Sequence, residues 1–257
     1  MKRESTIIAI VSGKGGVGKS LVAVNLAEML VHDGLRVALV DADFGQSACS
    51  VLMNETPPAT VMDLVRFTAR TDQVQHETIA GVTLIQVSAE VGETDGRERE
   101  VYSSLDELLG ELRTRFDYVL IDAPGGTDGP VRWALDRADI GLLIVVGEPT
   151  SVADAYRLAR MIWKSDPTYP LATIVNFADS EQEADSVAER FGRITEHFTG
   201  RLPNYLGWVP FSSSVRLSVT RQSPVVREPG PARDAFARLA RMVVAGRLTL
   251  AESIGAT

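Results

Sequence analysis

Short apolar runs recur along the chain at 7–11, 37–40, 82–87, 118–121, 140–146, 171–175 and 206–209, each long enough for one strand crossing a sheet. They are continuous rather than alternating, as expected of parallel strands covered on both faces. Helical periodicity fills the gaps. Val22, Leu26, Met29 and Leu30 recur at i, i+4, i+7 and i+8, and Gly34 provides a C-terminal stop. Leu105, Leu108, Leu109 and Leu112 share a face ahead of Phe116, and further helical patterns cover 152–163 and 184–197. A last helix at about 232–245 sets Phe236, Leu239, Ala240 and Val243 against Arg238 and Arg241. No internal repeat or linker interrupts the alternation. The expected architecture is α/β: a single doubly wound, mostly parallel sheet flanked by helices, one domain spanning 1–257, with its site at the C-terminal ends of the strands.

The first run leads directly into Ser12-Gly13-Lys14-Gly15-Gly16-Val17-Gly18-Lys19-Ser20-Leu21. Gly13-x4-Gly18-Lys19-Ser20 is the spacing of a loop whose backbone N–H groups wrap nucleotide phosphates. Glycines let the backbone approach the anion without a Cβ, and the following helix points its positive end there. Lys19 is expected to neutralise β- and γ-phosphates and the Ser20 hydroxyl to ligate Mg²⁺. Gly13-x-Gly15-x-x-Gly18 also matches a dinucleotide fingerprint, with Asp41 as its ribose acid. A dinucleotide site has no need of Lys19 and Ser20, however, and Lys14 would crowd its pyrophosphate turn, so a nucleoside triphosphate is the expected ligand.

Two further strands end in carboxylates, at Asp41-Ala42-Asp43 and at Asp122-Ala123-Pro124-Gly125-Gly126. Beside Mg²⁺-triphosphate, a carboxylate can hold a metal-bound water or orient the attacking one, and a Gly-Gly turn can reorganise when the γ-phosphate leaves.

Composition narrows the setting. No apolar run reaches the roughly 20 residues of a membrane span, and the start Met-Lys-Arg-Glu-Ser has no signal-peptide core, so a cytoplasmic chain is expected. Cys49 is the single cysteine, which leaves no disulfide and no multi-cysteine metal site within one chain. His32, His76 and His197 are scattered, against metal ligation, and Trp133, Trp163 and Trp208 are expected to pack. Net charge is −8, yet the segment 212–257 is basic, with seven arginines against Glu228, Asp234 and Glu252. The acidic body argues against wholesale nucleic-acid binding, although the basic strip leaves a local anionic contact open. The last helix is expected to pack on the sheet rather than lie on lipid, and 92–100 reads as a solvated loop.

These segments resemble, in order and over nearly the whole chain, the MinD/ParA ATPases, P-loop NTPases of the SIMIBI type. Lys14-Gly-Gly-Val-Gly-Lys19-Ser20 is similar to their deviant Walker A box, and the two aspartate segments to their switches I and II. The resemblance implies that Lys14 reaches a partner's phosphates in an ATP-bound homodimer. It further implies that Asp43 positions the hydrolytic water, that Asp122 holds Mg²⁺ through water, and that Asn176 reads adenine beside Val209-Pro210. Within the family the second half is most similar to the flagellar-number regulators of the FlhG (FleN, YlxH) group, through 147–156, 175–184 and 205–210. That implies a slow, partner-stimulated ATPase controlling placement or number of a structure, with a flagellar SRP-type GTPase, C-ring proteins or a flagellar transcription activator as partners, and polar or transient membrane association. The alternative is a partition-type ATPase that binds DNA through Arg216, Arg221 and Arg227.

Overall fold

Each apolar run becomes a strand because its side chains find cover on both sides. In the computed structural model, which describes residues 5–44, 47–87 and 96–246, β1 (Thr6–Ser12) sends Ile7, Ala9 and Val11 into one core and Ile8 and Ile10 into the other. This period of two is repeated by β2 (Val37–Asp41), β4 (Thr83–Gln86), β5 (Tyr118–Gly125) and β6 (Ile140–Val145), whereas β7 (Leu171–Ala178) and β8 (Asn204–Pro210) each break it once where their mutual register shifts. With β3 (His76–Glu77) they form an eight-stranded sheet ordered β3-β4-β2-β5-β1-β6-β7-β8. All pairings are parallel except β3 with β4.

One face carries α3 (Val61–Val65), α4 (Glu98–Arg115), α5 (Gly129–Arg137), α6 (Pro149–Ser165) and α7 (Glu181–Thr199). The other carries α1 (Lys19–His32), α2 (Ala48–Met53), α8 (Ser213–Thr220), a 3₁₀ turn at Val225–Arg227 and α9 (Pro231–Val244). α1 is buried nearly all round rather than on one stripe, since it lies between the sheet, α2 and α9. It stops where expected: Gly34 adopts φ 85°, and the Leu35 N–H closes on the Leu30 carbonyl.

The last helix packs as anticipated, with Phe236, Leu239, Ala240 and Val243 at most 2% exposed against β8 and α1. Trp133 and Trp163 are buried. The short helices α2, α3, α5 and α8 and the two-residue β3 add to the expected elements. Gly45 and Gln46 after the second strand, the first part of the 92–100 loop, Arg247 and the tail 248–257 lie outside the described residues.

Candidate functional site

β1 is flanked by β5 and β6, the place where the connections turn from one side of the sheet to the other, and a crevice opens there at the strand C-terminal ends. The loop 13–18 leaves β1 into that crevice and hands over to α1. Gly16 and Gly18 adopt φ 77° and 84°, a region open to glycine, and Gly18 is the N-cap of α1 without any side-chain cap. The first turn of α1 contains no acidic residue of its own, so its amides and dipole present positive potential at the crevice.

Three glycines are required by contact. A Cβ on Gly13 would stand 2.1 Å from the Asp154 backbone of α6, and one on Gly125 2.6 Å from the Gly15 nitrogen. One on Gly18 would meet the Asn176 amide at 2.3 Å and the Phe177 ring at 2.9 Å. The loop is therefore clasped by α6, by the end of β5 and by the end of β7. Gly15, by contrast, has open space beyond its Cα. The Ser12 hydroxyl donates to the Lys14 carbonyl at 2.6 Å and the Gly126 N–H to the Ser12 carbonyl at 2.9 Å, tying β5 to the loop a second time.

The two in-loop lysines differ. Lys19 is buried in the first turn of α1, beside Leu21, which is also buried. The Lys14 side chain is 31% exposed and its ammonium donates to Glu148, at the start of α6, over 2.5 Å. Glu148 was not singled out from the sequence; only the fold brings it there.

Asp41 ends β2, but its register partner Asp122 does not end β5, which continues three residues to Gly125 because it pairs on with β1 there; each aspartate is 1% exposed. Burial raises the pKa of Asp41, and repulsion from Asp122 adds to it. Burial also raises that of Asp122, while the Ser20 hydroxyl and the Lys19 charge pull it back. The Asp122 Oδ1 has no hydrogen-bond partner among the described residues. A buried carboxylate with a vacant lone pair beside a loop-end serine fits the oxygen chemistry of Mg²⁺. Asp43 lies two residues past Asp41, half-buried, with its N–H 3.4 Å from Asp41 Oδ1.

On the far side of the loop, Asn176 is fully buried and donates through Nδ2 to the Val17 carbonyl at 2.8 Å. Its Oδ1 has no partner among the described residues, which leaves an acceptor for an amino group. Val209 is buried, so only its backbone can face a base, and Pro210 ends β8 half-buried next to it. Phe177 takes φ 60° where the β7–β8 register shifts, and its ring meets Phe211 edge-on at 5.9 Å. Both rings, with Lys14 to Val17 and Val146 to Glu148, line one open cavity. Nothing in the sequence pattern announced this aromatic wall, because it depends on a backbone conformation rare for phenylalanine.

Asp122 and Asn176 thus reach the loop and α1 from opposite sides, Asp41 and Asp43 stand with Asp122, and Val209 and Pro210 lie one strand further out, paired with Asn176 and Ala178. The arginines of the basic segment disperse instead. Arg227 is bound to Glu28 of α1 by three contacts of 2.7–3.2 Å, and Arg221 lies 3.8 Å from Glu228.

Comparison with known proteins agrees with this geometry. The model of the ParA family, described as NUBPL iron-transfer P-loop NTPase, matches residues 3–244. The antiactivator FleN of Pseudomonas aeruginosa is 30% identical over 219 residues, 85% of this chain and 78% of FleN. The flagellum site-determining protein YlxH of Helicobacter pylori is 26% identical over 240 residues, 92% and 80% of the two chains. The septum site-determining protein MinD of Pyrococcus horikoshii, solved with Mg-ADP, superposes with a TM-score of 0.75 at 23% identity, covering 95% of this chain and 98% of that one.

Proposed function

The chain belongs to the ParA family of P-loop NTPases, and from that membership we propose an ATP-driven switch: ATP closes two copies face to face, the closed form engages a partner, and slow hydrolysis resets it. The observation that carries this reading is the placement of Lys14. It projects from the glycine loop, one-third exposed and paired with the exposed Glu148, available to the phosphates of a second copy. Lys19, Ser20 and the amides opening α1 hold the triphosphate of their own chain, with Gly13 to Gly18 as the cradle. Mg²⁺, held by Ser20 and through water by Asp122, supplies charge neutralisation at the transferring phosphoryl group. Asp43 orients the attacking water, and Asn176 Oδ1 accepts from the adenine amino group beside Val209 and Pro210.

Likeness to FleN and YlxH supports a role in setting the place or number of a structure, flagella first. The partners in that case are an SRP-type flagellar GTPase, C-ring proteins or a flagellar transcription activator. The DNA-binding alternative is weaker, since Arg227 is already spent on Glu28.

Sizing the protein by light scattering in ATP and in ADP tests the switch. Lys19→Ala should abolish nucleotide binding, whereas Asp43→Ala should retain ATP and remain dimeric. Equal dimerisation of the wild type in ADP and ATP would contradict the reading.

A further inference from the structure

Cys49 occupies the first turn of α2 and is fully buried. Its Sγ stands 3.4 Å from Oδ2 of Asp122, and its N–H donates to Oδ2 of Asp41 at 3.0 Å. The sulfur and one oxygen from each aspartate all lie within 4.8 Å of one another. This trio differs in kind from the Mg²⁺ ligands above. Mg²⁺ takes oxygen, whereas a thiolate joined by two carboxylates suits a borderline-soft divalent ion. Zinc bonds of about 2.3 Å to sulfur and about 2.0 Å to oxygen, in tetrahedral arrangement, space those donors roughly 3.5 Å apart. The observed sulfur–oxygen separation is already close to that, and Asp122 Oδ1 has no partner among the described residues.

We propose that Asp41, Cys49 and Asp122 form a binding site for Zn²⁺ in the nucleotide-free chain, the thiol releasing its proton to solvent as the ion binds. The way in is the crevice itself, past the half-buried Ser20 and Asp43. Bound there, zinc clamps α2 to the end of β2 and to the middle of β5, and takes Asp122 away from the Mg²⁺ role proposed for it. The site is therefore inhibitory. The binding step stands independently of the ATPase reading; only the inhibition rests on it.

Because Cys49 is the chain's sole cysteine, a spectroscopic test is unambiguous. Nucleotide-free protein is titrated with Co²⁺, whose complex with a thiolate shows a ligand-to-metal charge-transfer band in the near ultraviolet. The expected result is a band saturating at one equivalent and bleached by stoichiometric Zn²⁺. Cys49→Ser should lose the band and weaken Zn²⁺ binding more than about tenfold, while keeping Mg²⁺-dependent binding of a fluorescent ATP analogue. Wild-type protein that binds Co²⁺ without a charge-transfer band, or that binds none, overturns the proposal. So does a Cys49→Ser variant with undiminished zinc affinity.

Discussion

At the scale of single residues, the glycines of the crevice do unequal work. The sequence pattern presents Gly13, Gly15, Gly16 and Gly18 alike, but space separates them. Gly15 has room for a methyl group, so Gly15→Ala should leave the melting temperature of the nucleotide-free protein within about 2 °C of wild type. Gly125, outside the loop, touches the backbone of Lys14 and Gly15, atoms that cannot swing aside as a side-chain tip can. Gly125→Ala is expected to displace the loop and weaken ATP binding by about thirtyfold or more, roughly 2 kcal/mol, measured by calorimetric titration. Binding within twofold of wild type would show that the β5 end and the loop do not depend on each other. This contact was illegible beforehand because the two segments are more than a hundred residues apart in sequence. The loop pattern and the aspartate that ends β2 were legible because their spacing is local, whereas the run of β5 past Asp122 to Gly125 was not, since it depends on pairing with β1.

Between elements, charged ties decide what packs where. Arg227 holds the 3₁₀ turn to α1 through Glu28, whose side chain is only 5% exposed. Removing the arginine strands a buried carboxylate, so Arg227→Ala should lower unfolding free energy by about 2–3 kcal/mol in urea titrations. Glu28→Ala combined with Arg227→Ala should recover part of that loss, the signature of a direct pair. Losses that simply add in the double variant would assign the effect to packing instead.

The tie between α4 and α5 reports on pH. Hydrogen bonds from Arg137 hold the Asp106 carboxyl below its usual range, helped by the Trp133 N–H at 3.0 Å. A lowered folded pKa stabilises the protein above the ordinary carboxylate value near 4 and loses that contribution as pH falls through the lowered one. The pair is solvent-screened, so its worth is about 0.5 kcal/mol. The stability gap between wild type and Asp106→Asn should be flat from pH 8 to about 5 and close below about pH 4. The long strands and helices behind these ties were readable from periodicity. α2, α3 and α8 were not: five to eight residues span too few turns to show a face.

For the whole molecule, the order of strands was beyond sequence reading, though the alternation that makes the sheet parallel was not. A sheet edge of two residues, β3, carries no pattern at all. Asp43→Ala immobilised with ATP and exposed to lysate should retain flagellar GTPase or basal-body proteins that an ADP-loaded column does not. Retention of chromosomal DNA, released by salt, would move the chain to the partition branch.

The sheet order also divides the site by depth. The phosphate loop grows out of β1, with three strands to one side and four to the other, whereas the base recognition proposed above would draw on β7 and on the edge strand β8. Amides of 8–11 should then exchange with deuterium only through global opening, while those of β8 exchange through local fraying. Near the denaturation threshold, the protein should become indifferent to which base it holds before it loosens its grip on the phosphates.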